Sequence, residues 1–165
     1  MPPSFAPINT PPAPAGPAPS GGEALGRSQG GFSTTIHLRV EGNGKPLVAV
    51  LTGGERHEQI ALEAVLDRGA IRRPGRSRPR LAGDKAYSNP LARRLLRRRH
   101  ITPVIPTKPD QRRNPRFDRA AYRERNRVAR LINRLKQHRR VATRYEKRAI
   151  NYLTMIIIGF ILLWI

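Results

Sequence analysis

The chain has 165 residues, enough for one domain, and its 32 Lys and Arg against 11 Asp and Glu give a formal net charge of +21. A balance this basic indicates a polyanionic partner, with nucleic acid as the first candidate and an anionic membrane surface as the second. Cysteine is absent, which excludes a disulfide framework and a thiolate metal site. The first residues lack the charged and apolar regions of a secretory signal, so we expect none.

The first 22 residues are rich in Pro, Ala and Ser. Such a composition cannot supply a packed core, so we expect residues 1–22 to be a disordered or polyproline II-like leader. We place one folded domain at residues 23–165.

The folded part begins with a predicted β-hairpin. Residues 34–40 alternate in polarity and are rich in β-branched side chains, which favours a strand. Asn43-Gly44 is a hairpin turn signal, and residues 46–51 form the return strand. Helical periodicity follows over residues 57–67.

The next predicted strand ends at an acidic residue. Residues 81–83 are a short apolar run that places Asp84 at the carboxyl end of this strand. We expect Ser88 to cap a following helix, with Pro90 in its first turn. Residues 101–106 form a further short strand. The order of strands and helices predicts an α/β fold.

The strongest helical pattern lies at residues 122–136. Apolar residues recur there at three-and-four spacing, which indicates a helix with one buried stripe. The stripe consists of Val128, Leu131, Ile132 and Leu135. We expect Asp118 to cap this helix, because Pro115 prevents a much earlier start.

A narrow polar face lies beside the buried stripe. At about 100° per residue, this face contains Tyr122, Arg125, Ala129 and Lys136. The spacing of Tyr122, Arg125 and Lys136 resembles the Tyr-Arg-Glu-Lys signature of bacterial insertion-sequence transposases of the DDE class. The segments GGFSTTIHL, GKPLVAVLT, GDKAYS and VIP resemble the same family in type and order. The resemblance covers roughly residues 23–165.

The resemblance implies a ribonuclease-H-like fold that performs metal-dependent DNA strand cleavage and transfer. Three carboxylates in that family hold two divalent cations, for which Mg²⁺ is the natural choice. Asp84 matches the second carboxylate and is the candidate catalytic and metal-binding residue. The third position is Ala129, and Glu124 lies roughly 160° around the helix from it.

The first carboxylate of the family has no counterpart in this sequence. We therefore expect the first, central strand to be missing, which makes the fold partial and leaves unpaired sheet edges. The signature residues Tyr122, Arg125 and Lys136 stand where the family contacts DNA near the transposon end. We expect the two cations to neutralise phosphates and the tyrosine to stack or hydrogen-bond, in salt-sensitive binding.

The final residues, 152–165, are uncharged and apolar. They are too few for a membrane span, which needs about 20 residues. We favour a helix that packs on the core, and we do not expect a membrane partner.

The sequence is most consistent with a truncated, inactive DDE transposase, a cytoplasmic protein associated with nucleoid DNA. Its expected partners are transposon ends and either an upstream-frame transposase polypeptide or further copies of itself. Two alternatives remain open. One is a non-enzymatic DNA-binding regulator of an intact transposase, and the other is a small basic membrane protein anchored by its tail.

Overall fold

A computed structural model describes residues 4–10, 23–28, 31–54, 58–69, 78–112, 114–115 and 117–165. The strands in these ranges are β1 (Ser4–Thr10), β2 (Gly26–Ser28), β3 (Gly31–Val40), β4 (Pro46–Gly53), β5 (Arg80–Gly83) and β6 (Thr102–Val104). The α-helices are α1 (Glu58–Arg68), α2 (Pro90–Arg98), α3 (Arg119–Arg123), α4 (Asn126–Lys136), α5 (Arg139–Ala142) and α6 (Ala149–Trp164). The predicted α/β class is confirmed.

The sheet has the order β4-β3-β1-β5-β6, and the short β2 pairs with the start of β3. β1 is antiparallel to β3 along its whole length and parallel to β5. At its first residue, Ser4 pairs with Val40 on one side and with Ala82 on the other. β1 is therefore the central strand.

The expectation that the central strand is missing is wrong, and so is the disorder predicted for Ser4–Thr10. β3 and β5 are separated by one strand width, and their backbone groups can be paired by any segment that extends between them. Pro7 removes only one N–H from that segment. The rest of the predicted leader, residues 1–3 and 11–22, lies outside the described residues.

Helices α1 and α2 cover one face of the sheet. Their buried side chains pack against Val50 of β4 and Leu81 of β5. The main helical contributors are Leu62, Val65, Leu66, Ala92 and Leu96.

Helices α4, α5 and α6 cover the opposite face. Alternate residues of β3, namely Ile36, Leu38 and Val40, point to this side because side chains in a strand alternate between the faces. They pack against Val128, Leu131, Leu135, Val141, Tyr152, Ile156 and Phe160. The sheet is thus the middle of three layers, and α4 lies directly on it.

The predicted helix at residues 122–136 is divided in two. Asp118 caps α3, as predicted, by accepting a hydrogen bond from Ala121 N–H at 2.8 Å. This bond, assisted by Arg80, holds the pKa of Asp118 below its usual range. Glu124 and Arg125 keep helical dihedral angles but form a tighter turn between α3 and α4, with an i→i+3 hydrogen bond from Arg125 N–H to the Tyr122 carbonyl.

The predicted cap of α2 is wrong by one residue. Asn89 caps the helix through its side-chain oxygen, which accepts from Leu91 N–H at 2.9 Å. Since the residue before a proline is driven into the extended region, Asn89 has the backbone of a cap when Pro90 is the first helical residue. The Ser88 hydroxyl instead donates to the side-chain carbonyl of Gln111 at 2.6 Å.

The apolar tail forms α6, and the prediction that it packs on the core is confirmed for one face. Tyr152, Ile156 and Phe160 are buried against the sheet and α4. The other face exposes large apolar side chains, including Ile157 and Ile161. None of the helices among the described residues is long and apolar enough to cross a membrane.

A buried arginine just before α6 contacts Ala24 and the start of β3. Arg144 is 2% exposed and donates to Thr34 Oγ1 at 2.7 Å and to the Ala24 carbonyl at 3.3 Å. Burial lowers its pKa, which neighbouring Glu23 opposes. The Glu23 carboxylate also accepts from Ala149 N–H at 2.5 Å and so satisfies the first turn of α6.

Candidate nucleic-acid interface

Asp84 lies directly after β5, as the sequence predicts. One carboxylate oxygen accepts from Lys85 N–H at 2.6 Å and caps a 3₁₀ turn at Lys85–Tyr87. The other lies 3.8 Å from the Arg125 guanidinium. Both oxygens therefore face positive partners, a backbone donor and an arginine.

Arg125 brings the strand end and the helical region together. Its guanidinium carbon lies 5.5 Å from the centre of the Tyr122 ring, within the range of a cation–π contact. The Tyr122 ring packs in turn on Phe117, with ring centres 5.4 Å apart. Three of the predicted site residues, Asp84, Tyr122 and Arg125, thus form one cluster.

Ala129 and Lys136 lie further along α4. Ala129 is half-buried, and Lys136 is exposed at the end of the helix. Within the described parts of the chain, Lys136 has no hydrogen-bond or ion-pair partner, and its ammonium group is available to an external anion. We call the side of the helical region that carries Tyr122, Arg125, Ala129 and Lys136 the signature flank.

The side chains around Asp84 do not fit a site for two divalent cations. No group of three or more His, Cys, Asp or Glu side chains in the described ranges is arranged to hold a metal ion. The β1 sequence SFAPINT has no acidic residue, and residue 129 of the signature flank is an alanine. Glu124 is paired with Arg127 at 2.8 Å.

The other side of α4 forms a groove that the sequence analysis missed. Arg127, Arg130 and Arg134 face the β3–β4 turn at Asn43 and Gly44 across a space of ≈ 440 Å³. The signal was present in the sequence, because arginines at i, i+3 and i+7 lie on one side of a helix. The predicted stripe separates them from the signature flank. We call this feature the arginine groove.

A neutral histidine supports the sheet from the opposite face. His37 on β3 is fully buried, with its ring nitrogens 2.8 Å from Thr52 Oγ1 and 3.3 Å from the Tyr87 hydroxyl. Burial lowers the pKa of His37 to about 4. Two of its partners are hydroxyl groups, and desolvation by burial disfavours the charged ring.

Comparison with known proteins identifies the family. The family model described as the transposase DDE domain matches residues 8–165, from within β1 to the end of α6. No curated protein matches the chain. The predicted resemblance to a DDE-class transposase is confirmed at the level of the family, whose members generally use divalent metal and act in DNA transposition. The chain belongs to the transposase DDE domain family.

Proposed function

We propose that this chain is a DNA-binding member of the DDE transposase family that does not cut DNA by itself. The observation that carries the proposal is the ion pair between Asp84 and Arg125. A guanidinium beside the one carboxylate that matches the family supplies a single fixed positive charge where the family's chemistry needs two hydrated cations.

The strand order supports a ribonuclease-H-like fold for the domain. A central strand antiparallel to β3 and parallel to β5 occupies the place that such a fold gives to its first strand. β1 therefore belongs to the domain, although it lies before residue 23. Ala6 comes one residue after the pair that Phe5 forms with Gly83, just as Asp84 does on β5. The strand position level with Asp84 is thus an alanine.

The signature flank retains groups that bind DNA. Arg125 and Lys136 are suited to phosphate contacts, and the Tyr122 ring to stacking or to a hydrogen bond. The net charge of +21 would attract any duplex electrostatically. Such a protein would occupy the ends of a mobile element, as an insertion-sequence transposase does before recombination.

The same features favour a regulatory role over a catalytic one. A protein that binds element ends without cutting them would compete with an intact transposase for those ends. A further copy, or a polypeptide from an upstream frame, could supply missing carboxylates in trans. Competition for the element ends requires no such additional chain.

The test compares duplex binding and strand nicking by the full chain. The double variant Arg125→Gln/Lys136→Gln should make the negative slope of log affinity against log salt shallower by about 1.8, since each phosphate contact contributes about 0.9 to its magnitude. The matched control is Arg94→Gln/Arg98→Gln, which removes the same charge from exposed positions of α2. This control should leave the slope unchanged.

Nicking assays with Mg²⁺ should show no cleavage by the full chain. Cleavage that disappears in Asp84→Asn would overturn the non-cutting assignment. Failure of the unaltered chain to bind any duplex would overturn the DNA-binding assignment.

A further inference from the structure

The arginine groove has two cations without partners. Arg130 and Arg134 are exposed, and neither has a hydrogen-bond or ion-pair partner among the residues that the structure describes. They are four residues apart and therefore lie one above the other on α4, where their like charges repel. An arrangement that places two free guanidinium groups side by side is stabilised when an anion binds between them.

The third arginine forms a fixed wall of the groove. Arg127 donates to the Gly42 carbonyl and pairs with Glu124 at 2.8 Å, so both the turn and the helix hold its side chain. Gly44 lies beside this wall, and a Cβ placed there would make an ordinary contact at 3.5 Å with the Cβ of Arg127. Its φ of +93° favours glycine.

The acidic groups nearest the groove are already engaged. Glu124 is the partner of Arg127. Glu41 accepts from Asn43 N–H at 2.8 Å and thereby fastens the β3–β4 turn. Neither carboxylate compensates Arg130 or Arg134, and the groove keeps a net positive charge.

The dimensions of the groove match a nucleic-acid strand. Arg130 and Arg134 are about 6 Å apart along the helix axis at 1.5 Å per residue. Two steps along the axis of duplex DNA cover about the same length, since each strand carries one charge per about 3.4 Å of that axis. Leu131 is the only apolar residue lining the described groove, so an apolar ligand would find little complementary surface.

The groove and the signature flank lie on different sides of α4. Arg130 and Arg134 lie roughly 120° and 160° around α4 from Lys136. The buried stripe lies between the two sides where α4 packs on the sheet. Phosphates bound in the groove are therefore additional to those bound at the signature flank.

We propose that the arginine groove is a second DNA-binding site, which holds the phosphate backbone of duplex DNA without reading its sequence. It rests on the proposed function only in taking DNA as the partner. Arg130 and Arg134 bind phosphates, Arg127 positions the wall, and the exposed Asn43 side chain is available as a further donor. The groove thereby adds phosphate contacts to those of the signature flank, on the other side of α4.

The test uses the full chain and a duplex of arbitrary sequence, with affinity measured over a range of salt concentrations. Arg130→Gln/Arg134→Gln should make the negative slope of log affinity against log salt shallower by about 1.8, because two phosphate contacts are lost. Arg94→Gln/Arg98→Gln has the same residue types, spacing and charge change on α2 and should leave the slope unchanged. Equal slopes for the two variants, whether both are shallower than that of the unaltered chain or both are unchanged, would overturn the groove assignment.

Two further measurements separate this site from its alternatives. If Arg125→Gln/Lys136→Gln weakens binding and Arg130→Gln/Arg134→Gln does not, the groove assignment fails while the proposed function stands. Asn43→Asp, which introduces a carboxylate from the opposite wall, should weaken binding several-fold without altering the helix. Inorganic triphosphate is the small-anion probe, and its binding to the groove when duplex DNA does not bind there would overturn the assignment to DNA.

Discussion

The two sides of α4 carry similar charges in different surroundings. On the signature flank, Arg125 meets the Asp84 carboxylate and the Tyr122 ring. In the arginine groove, Arg130 and Arg134 meet a β-turn whose nearest carboxylates are already engaged. One side therefore has an arginine paired within the protein, and the other has two arginines without a partner among the described residues.

This difference shows that the number of arginines on a helix does not determine its capacity for phosphate. The groups that the neighbouring strand or turn places next to the helix determine how much of its positive charge is free to bind phosphate. A carboxylate at the end of a strand competes with an external phosphate for the arginine beside it. A turn that presents backbone carbonyls fixes one arginine and leaves the next two free.

The largest expected effect comes from weakening the core packing of α4, which positions both of its sides. Leu135 is 1% exposed and packs against Gly159 of α6, where a Cβ would lie 3.3 Å from its Cδ2. Leu135→Ala should lower the free energy of unfolding by about 3 kcal/mol through lost burial and a residual cavity. Urea unfolding would measure this change. Leu91→Ala, at an exposed position of α2, should cost less than about 0.5 kcal/mol. A comparable cost for both variants would contradict the packing described for α4.

Acid should destabilise the sheet on which α4 packs, because it protonates His37 on the opposite face of that sheet. The pKa of His37 is about 4 when folded and about 6.5 when unfolded, so the unfolded chain binds the proton more tightly. The stability that neutral His37 provides is complete above pH 6.5 and is lost as the pH falls to about 4. The full loss is about 3 kcal/mol.

Unfolding at pH 6.5 and 4.5 measures this contribution, because the titrations of other groups cancel when unaltered protein is compared with His37→Gln. The pH dependence should be smaller in the variant. His138→Gln, at an exposed position, should retain the full dependence. If His37→Gln retains it too, the depressed pKa is not the cause.

The smallest expected effect changes one side of α4 and not the other. Asp84→Asn removes the carboxylate charge beside Arg125 but keeps a side chain that can cap the following turn. Duplex affinity should rise by up to about fivefold, because exposed ion pairs contribute up to about 1 kcal/mol. Competition binding at fixed salt would measure it.

Asp67→Asn is the matched control for this change. Asp67 is also exposed and pairs with Arg99 at 2.5 Å, away from α4. An equal rise in affinity for both variants would mean that net charge alone is responsible, and the contrast between the two sides of α4 would not hold.

Local patterns in the sequence were sufficient to predict most of the elements. The buried stripe of α4 follows from its three-and-four spacing, and the hairpin from Asn43-Gly44, because each pattern lies within a few residues. The position of Asp84 after β5 follows from the apolar run before it. The cap of α3 at Asp118 is equally local.

The remaining features depend on contacts between distant parts of the chain. β1 was missed because its composition, including Pro7, is atypical of a central strand, and its pairing depends on β3 and β5. The ion pair between Asp84 and Arg125 depends on how a strand end meets a helix. The arginine groove forms where the turn at Gly44 lies next to Arg127, and the local sequence of neither segment indicates this contact.

The contacts of Glu23 and Arg144 make α6 dependent on residues more than a hundred positions earlier. α6 begins without a side-chain cap from its own first residues, and the Glu23 carboxylate fills that role. Arg144 joins the same region to β3. Release of residues 23–24 would therefore remove one backbone hydrogen bond from the start of α6 and one contact of Arg144, which would favour fraying of the first turn of α6. A deletion in either segment would therefore destabilise the other, because the contacts between them would be lost.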